Sequence, residues 1–504
     1  MQDDAGRCRT MQDDATLAPS DPSYIIVPSD PTPAPARLSA GAVVPLSEVP
    51  MRSRLLPLLA AGLLSAGGLQ AQTRLSVPFA MDTLPNGLRV IIHEDHSVPT
   101  VAVNVWYHVG SGDEKPGRTG FAHLFEHLMF MGSENAPYPA FDRMLEAAGA
   151  NNNGSTSTDR TNYYESGPAN ALPLMLWLEA DRMGWMLPTM DSAKVDLQRD
   201  VVKNERRQSY ENQPYGLAFE HIVKTVYPAG HPYSWSTIGS MDDLSAASLE
   251  DVKDFFRTYY APNNAVLSIA GAVQTDEVRR LVRRYFGEIP RGPAIGRPSA
   301  PAFNLARDTA VVLEDRVQLP RVYYTWHTVK GTDADDAALS IAAYLLTGAR
   351  NSRLTQRLVY DDQLASSVSA YQSGKRLDGD YTIVATARPG KSLPELQTVI
   401  DEELARLLGE GPTARELDQA KNAIESAFLN RLERVLAKAD QLNAYYYETG
   451  RPDGFQQELD RLRAVGAADV QRVLGTHLAQ PKVVLSVVPQ GRPELAAQLR
   501  GVTP

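Results

Sequence analysis

The chain has 504 residues, of which 43% are hydrophobic and 22% charged, a composition that excludes the fibrous and disordered classes and is typical of soluble globular domains. The length exceeds that of one ordinary hydrophobic core, so we expect two or more domains. The formal net charge of −10 and the lack of a basic stripe with interleaved aromatic residues argue against nucleic acid as a partner.

The N-terminal segment carries two signals that precede any folded domain. Residues 1–50 repeat MQDDA and continue through a Pro- and Ser-rich stretch, so we expect them to be disordered or to be an upstream extension of a chain that starts at Met51. Residues 51–71 combine two arginines, a short apolar run and small residues ending at Ala71. This pattern is typical of a secretory signal peptide, with a short buried helix as the alternative.

Cysteine usage agrees with export. Cys8 is the only cysteine of the sequence, so the mature chain would have no disulfide, no thiolate ligand and no cysteine for a lipid anchor. No later stretch has the run of apolar residues that a membrane helix needs. We therefore expect an exported, soluble protein, periplasmic or extracellular, without a membrane span.

Internal repetition organises the rest of the chain. Residues 251–269, DVKDFFRTYYAPNNAVLSI, align without a gap on residues 469–487, DVQRVLGTHLAQPKVVLSV, and each copy reads as a helix followed by a buried strand. A Pro- and Gly-rich stretch at 291–303 is the predicted linker. The sequence predicts an α+β fold of two duplicated half-units, a domain at 79–290 and a homologous domain at 304–504. We expect each to be a mostly antiparallel sheet with helices packed on one face.

The stretch FAHLFEHLMF, residues 121–130, predicts a helix with polar side chains on one side. Its apolar residues recur at the spacing of a buried helix face, and Thr119 is a candidate N-cap. His123, Glu126 and His127 fall together on the other side. Two histidines four residues apart can grip one zinc ion, and Glu126 lies where it can hold a water molecule, as in the inverted form of the His-Glu-x-x-His motif. By itself the pattern also fits an exposed polar helix face.

A catalytic zinc needs a third protein ligand and an open position. Residues 190–213 predict a helix that starts near Asp191 and carries Glu205 in the context VVKNERR. The inverted histidine motif followed downstream by this glutamate resembles the insulinase or pitrilysin-type zinc peptidases, in particular the smaller two-domain members similar to mitochondrial processing peptidase. The resemblance extends over most of the chain from about residue 79.

The resemblance implies a zinc endopeptidase that hydrolyses unfolded peptides or small proteins. His123, His127 and Glu205 would be the ligands of one Zn²⁺ per chain, and Glu126 would be the catalytic base. The family usually carries a further glutamate seven residues before the third ligand, where this sequence has Gln198; an amide there adds no negative charge around the ligands. The second half has LSIAAYLL in place of the zinc helix, so one metal site is expected.

The stretch GANNNGSTSTDRTNYYE, residues 149–165, is the expected substrate-binding element. The resemblance implies an edge strand here that pairs with the backbone of the peptide substrate. Asn153, Gly154 and Thr156 are the predicted contacts. Because runs of Asn, Gly and Ser usually form loops, a polar turn is the alternative interpretation.

The resemblance also implies a partner subunit. Larger single-chain members enclose a chamber with four half-units, whereas this chain supplies two. In self-sufficient members the zinc-free part contributes an arginine and, seven residues later, a tyrosine. Alignment places Val359 and Ser366 at these positions, and neither side chain can replace them; Arg353 and Tyr360 have the same spacing but are out of register. The hypothesis is a heterodimer whose zinc-free partner supplies the arginine and tyrosine, with a homodimer as the alternative.

A different class of function stays open at this point. A non-catalytic scaffold, or a peptide-binding subunit of the same fold that does not cleave, would share most of these features. The complete set of His123, Glu126, His127 and Glu205 argues against a scaffold, since a scaffold has no need of all four.

Overall fold

The computed structural model describes residues 74–499. The predicted disordered extension, residues 1–50, and the predicted signal peptide, residues 51–71, lie outside the described residues. Within 74–499, none of the helices combines the length and the hydropathy that crossing a bilayer requires.

The first half is built on a six-stranded sheet in which β4 is an edge strand. Its strands are β1 (Ala80–Thr83), β2 (Arg89–Glu94), β3 (Thr100–Tyr107), β4 (Asn151–Thr156), β5 (Thr161–Pro168) and β6 (Ala265–Gly271). They lie in the order β1-β2-β6-β3-β5-β4. The pairing of β2 with β6 is parallel and the other pairings in this sheet are antiparallel.

Helices of the first half cover one face of this sheet. They are α1 (Phe121–Leu128), α2 (Ala140–Ala147), α3 (Leu172–Trp185), α4 (Ser192–Arg206), α6 (Met241–Ala246), α7 (Leu249–Tyr259) and α8 (Thr275–Phe286). The remaining helix of this half, α5 (Ala218–Val226), does not contribute to this core. Alternate residues of β3, from Val101 to Tyr107, point into the core that these helices close. The apolar stripe predicted for α1 is buried there, so the predicted helix and its orientation are confirmed.

The second half repeats the arrangement. Its sheet has the order β7-β11-β8-β10-β9, and β7 with β11 is the parallel pair. The strands and helices are β7 (Thr309–Asp315), β8 (Arg321–Thr328), α9 (Asp336–Thr347), β9 (Ala365–Gly374), β10 (Gly379–Ala387), α10 (Leu393–Glu410), α11 (Ala414–Arg431), α12 (Val435–Thr449), α13 (Phe455–Ala464), α14 (Ala467–Val473) and β11 (Val483–Pro489). The repeated segments form α7 with β6 and α14 with β11, and α9 follows β8 as α1 follows β3. The predicted fold class is confirmed.

Each sheet is also covered on its other face, by a helix of the opposite half. Helix α12 of the second half packs against β3 and β6 of the first sheet, and α5 of the first half packs against β8 and β11 of the second sheet. The apolar contacts join Val435 and Ala439 to Ala102 and Ala270 in one case, and α5 to the outward face of β11 in the other. The prediction that helices pack on one face of each sheet therefore holds for the helices that belong to the same half as the sheet. The other face is covered by a helix of the opposite half.

Candidate metal centre

Helices α1 and α4 bring two histidines and a glutamate together. The distance from His127 Nε2 to Glu205 Oε2 is 3.3 Å, and that from His123 Nε2 to the same oxygen is 3.7 Å. The two imidazole rings lie 4.8 Å apart at 85°. Within residues 74–499, this is the one group of three His, Cys, Asp or Glu side chains with donor atoms within 4.8 Å of one another.

The local sequence explains how the three side chains converge. In α1, the 3.6-residue period sets His123 and His127 one turn apart while the apolar stripe faces the sheet. The start of α4 is fixed by Asp191, whose side chain accepts a hydrogen bond from Lys194 N at 2.9 Å, so the predicted start of this helix is confirmed. Glu205 follows in the last turn of α4, where the helix passes α1.

The protonation states suit a metal site. Burial, followed by the charge of His127, lowers the pKa of His123. Burial opposes ionisation of Glu205, but the hydrogen bond from His127 and the charge of His123 outweigh it and lower the pKa of Glu205. A neutral imidazole and an ionised carboxylate are the states in which these groups bind a metal ion.

The separation of the donor atoms fits zinc. Ligand atoms bound at 2.0–2.1 Å in tetrahedral geometry are about 3.4 Å from one another, and the two distances from Glu205 Oε2 are 3.3 Å and 3.7 Å. Two imidazole nitrogens and one carboxylate oxygen are also the donor set of a catalytic zinc that keeps one position open. The residues present therefore fit the predicted cofactor.

Glu126 lies beside this group and is held by the edge strand. Thr156 Oγ1 donates a hydrogen bond to Glu126 Oε2 at 2.6 Å. A Cβ atom added to Gly154 would lie 3.1 Å from Glu126 Cγ, so the missing side chain at this position leaves room for the glutamate. Because side chains alternate along a strand, Asn153 points to the other face of the sheet, and its Oδ1 accepts a hydrogen bond from Gly154 N at 2.9 Å. Of the three predicted contacts, Gly154 and Thr156 adjoin Glu126 and Asn153 does not.

The N-terminus of α1 is capped by a residue that the sequence did not identify. Glu114 accepts hydrogen bonds from Gly120 N at 3.0 Å and from Ala122 N at 2.8 Å. The prediction of Thr119 as N-cap is wrong, because Gly120 takes that position with a left-handed φ of +86° and Thr119 Oγ1 donates instead to Asp243 Oδ2 at 2.5 Å. Burial raises the pKa of Glu114. The acidic residue was visible in GSGDE, but its distance from the helix matches no capping box.

Gln198 packs at the contact between α4 and the segment after α1. Its Nε2 lies 2.8 Å from Met131 Sδ. A thioether is a weak acceptor, so this amide contributes to packing beside the group of His123, His127 and Glu205.

The alternative arginine and tyrosine have different surroundings in the second half. Arg353 is 8% exposed and donates to both carboxylate oxygens of Glu416 at 2.8 Å and 3.0 Å. Tyr360 is 41% exposed and lies beside Arg350. Arg353 therefore has a structural ion pair and is not displayed together with Tyr360.

The aligned positions also lack a functional pair. Val359 packs against the apolar core of the second half. Ser366 Oγ donates to Thr386 O at 3.2 Å. Neither side chain presents a donor of the length that the predicted contact to a substrate carbonyl requires.

Comparison with known proteins covers both halves. Residues 89–238 match the family described as Insulinase (Peptidase family M16), and residues 246–424 match the one described as Peptidase M16 inactive domain. The chain is 32% identical over 356 residues to the zinc protease PqqE of Helicobacter pylori, covering 70% of this chain and 79% of that protein. It is 26% identical over 373 residues to the mitochondrial-processing peptidase subunit beta of Bos taurus, covering 72% and 74%.

Solved structures show the same fold. The crystal structure of a protease from Helicobacter pylori superposes with a TM-score of 0.78 at 27% identity, covering 82% of this chain and 100% of the other. The first half of the periplasmic protease PqqL from Escherichia coli superposes with a TM-score of 0.68 at 18% identity, covering 84% and 95%, which is a likeness of fold alone. On the matches to both halves and the identity to a zinc protease, the chain belongs to peptidase family M16, the insulinase family.

Proposed function

We propose that this chain is a zinc endopeptidase with one Zn²⁺ per chain, held by His123, His127 and Glu205. The observation that carries the proposal is the position of Glu126, which lies next to three suitable ligands and is hydrogen-bonded to an edge strand. Metal-assisted peptide hydrolysis needs three parts: a set of metal ligands, a carboxylate that is not itself a ligand, and a strand that can bind peptide. Relatives named zinc proteases support the same chemistry.

The mechanism assigns proton transfer to Glu126. Zinc, when bound, supplies Lewis acidity that makes water more acidic and polarises a peptide carbonyl. Thr156 fixes Glu126 by a hydrogen bond to Oε2, which leaves Oε1 to take the proton from the attacking water. Glu126 then donates that proton to the amine that leaves as the peptide bond breaks.

We propose that the substrate is an unfolded peptide added to the sheet at β4. This strand is outermost, and its backbone pairs with β5 on one side only. A peptide bound by strand addition is recognised through main-chain hydrogen bonds more than through its side chains. Gly154 and Thr156 would place this peptide beside Glu126. Asn153, on the other face, would contribute through its backbone.

We also propose that this is the zinc-bearing subunit of a heterodimer, exported with the help of residues 51–71. Arg353 is held by Glu416, so it is not available as the arginine that self-sufficient members supply. A zinc-free partner of the same fold would supply the arginine and tyrosine, and a homodimer is the alternative. Relatives named as a beta subunit of mitochondrial-processing peptidase support a partner of this kind.

The test compares zinc content and cleavage of an unstructured peptide in single variants. Glu126→Gln should keep about one zinc per chain and lose most activity, because the base and not a ligand is removed. His123→Ala and Glu205→Gln should lose the metal. Glu146→Gln, the same change at an exposed glutamate of α2, is the matched control and should behave as wild type.

Two outcomes would contradict the proposal. Wild-type activity in Glu126→Gln would remove the assigned base. Zinc binding by the wild-type chain without any cleavage, alone or with a zinc-free homologous subunit, would favour the peptide-binding or scaffold alternative.

A further inference from the structure

The edge strand beside Glu126 is fixed by polar contacts, including hydrogen bonds from Arg160 Nη1 of the same half to Ser155 O at 3.0 Å and to Ser155 Oγ at 2.7 Å. Residues 151–156 read NNNGST, so no apolar side chain anchors β4 in the core. A shift of one residue against β5 would move every side chain of β4 to the opposite face, and polar, Gly-containing strands specify their register weakly. In the register of the structure, Ser155 lies opposite Asn162 and Thr156 opposite Thr161. A slip of one residue would therefore turn Thr156 away from Glu126.

A row of buried polar side chains runs from the second half to this strand. Asp440 on α12 accepts hydrogen bonds from Asn104 Nδ2 and Trp106 Nε1, both at 2.9 Å. Asn104 Oδ1 accepts from Asn162 Nδ2 at 3.1 Å, and Asn162 Oδ1 accepts from Ser155 Oγ at 2.6 Å. We call Asp440, Asn104, Asn162 and Ser155 the polar row. It crosses β3 and β5 and ends on β4, one residue before Thr156.

The polar row is costly to bury, which indicates a purpose beyond packing. Asp440, Asn104 and Asn162 are 6%, 0% and 2% exposed, and a buried carboxylate is unfavourable unless donors satisfy it. The neighbouring contact of α12 with the same sheet uses alanines and a valine, so apolar side chains are able to hold this helix in place. Buried polar networks instead favour the arrangement that satisfies most of their donors and acceptors. Each member of the polar row is hydrogen-bonded to its neighbour, and both hydrogen bonds to Asp440 go to Oδ1, while its buried Oδ2 has no partner among the described residues.

A second contact from the same half fixes the turn between β4 and β5. Asp159, in this turn, accepts hydrogen bonds from Tyr233 OH at 2.6 Å and from Arg376 N at 3.0 Å. Tyr447 OH on α12 donates to the carbonyl oxygen of Asp159 at 2.8 Å. Arg376 lies between β9 and β10, so two of these three donors belong to the second half.

We propose that the metal-free half completes the fixing of the register of β4, and through Thr156 the orientation of Glu126, by means of the polar row and the contacts to Asp159, in addition to the hydrogen bonds from Arg160 within the first half. This rests on the proposed function in so far as Glu126 is the base. Asp440 and Tyr447 are positioning residues in this scheme, since they act through β4 and touch neither the metal ligands nor Glu126. The second half thereby takes part in catalysis although it holds no metal ligand.

The test uses Asp440→Ala with Asp440→Asn as the conservative variant. Alanine removes the acceptor at the end of the row, whereas asparagine keeps an oxygen that can accept the same hydrogen bonds. We expect amide hydrogen exchange at residues 151–156 to become faster in the alanine variant and to return toward wild type in the asparagine variant. Zinc content should stay at the wild-type level in both.

Cleavage is measured with enzyme in excess over an unstructured fluorogenic peptide, so that slow turnover by the chain alone is still recorded. A misplacement of about 1 Å in a catalytic group can reduce the rate by about 10²-fold, so we expect Asp440→Ala to lower the maximal rate by about 10- to 10²-fold. Asp440→Asn should recover most of it. Asp460→Ala, at an exposed position of α13, is the matched control and should match wild type.

Tyr447→Phe is a second, milder variant that keeps the proposal testable if Asp440→Ala unfolds. It removes one hydroxyl, the donor to Asp159 O, and should speed exchange at 151–156 while exchange in α1 stays unchanged. The proposal is overturned if exchange at 151–156 matches wild type in both variants, if the increase spreads equally over the sheet in both, or if zinc is lost together with activity. Absence of cleavage by the wild-type chain would count against the proposed function alone, because the exchange measurement still reports on the register.

Discussion

Gly154 offers a sharp test of how closely β4 approaches Glu126. In Gly154→Ala, the new methyl group would lie 3.1 Å from Glu126 Cγ and 3.3 Å from both Phe130 Cε2 and Tyr163 Cδ1. Non-bonded carbon atoms prefer about 3.5–4.0 Å, so one or more of these neighbours must move by a few tenths of an ångström. Tyr163 is fully buried, whereas Glu126 and Phe130 are partly exposed and have more freedom to move. We therefore expect the hydrogen bond between Thr156 and Glu126 to be strained.

The expected result is a loss of rate with little loss of stability. Overpacking by one methyl group costs about 1–3 kcal/mol in a well-packed core, and displacement of a catalytic group can cost about 10²-fold in rate. Cleavage of the unstructured peptide should fall by about 10- to 10²-fold, and zinc content should stay at the wild-type level because no ligand is touched. Thermal unfolding should show a decrease of stability of about 1 kcal/mol.

A second glycine provides the matched control. Gly409, near the end of α10, has no atom within 4 Å of an added Cβ, and alanine is favoured over glycine in a helix by about 1 kcal/mol. Gly409→Ala should therefore keep full activity with unchanged or higher stability. If Gly154→Ala cleaved peptide at the wild-type rate with wild-type zinc content, the inferred approach of β4 to Glu126 would be wrong.

Three further predictions concern pH, the partner and export. Burial raises the pKa of Asp336 to about 7, so the folded chain binds more protons than the unfolded chain between about pH 4 and pH 7, and stability falls as the pH rises through this window. Between pH 5 and pH 8 this part of the decrease is about 3 kcal/mol, and Asp336→Asn should remove it in denaturant unfolding at these two pH values. Equal pH dependence in both proteins would refute the assignment. The purified chain alone should cleave peptide weakly and gain activity with a zinc-free homologous subunit, whereas full activity of the chain alone, lost in Tyr360→Phe, would favour a self-sufficient homodimer. N-terminal sequencing of the native protein should start near Gln72, and a start at Met1 would exclude the predicted signal peptide.

Periodicity was sufficient to predict the elements of the metal centre but not their convergence. The apolar stripe of α1 placed His123 and His127 on one side of that helix, and Asp191 marked the start of the helix that carries Glu205. Neither pattern states that α1 and α4 lie side by side; that expectation came from the resemblance to a known family. Glu114 was missed because its link to the N-terminus of α1 depends on the path of the intervening loop, which has no local signature.

The helix that covers the outer face of each sheet could not be predicted from the sequence either, but for a different reason. Helix α12 carries Asp440 and Asn443, which a polarity pattern assigns to solvent. Both are buried against the first sheet, where Asn443 Nδ2 donates to Asn104 O at 3.0 Å and Asn443 Oδ1 accepts from Ser268 Oγ at 2.6 Å. The polar side chains of α12 and of the strands form hydrogen bonds with each other, and these hydrogen bonds are what allow both to be buried.

The reciprocal placement of α5 and α12 has a consequence for any attempt to divide this protein. A fragment that ended at the linker would leave the outer face of the first sheet bare at Ala102 and Ala270, and would expose the apolar side of α5 that covers β11. Exposed apolar faces of this kind promote association between chains. The duplicated halves are thus joined more tightly than a flexible tether would join them, and we expect the chain to melt in a single cooperative transition.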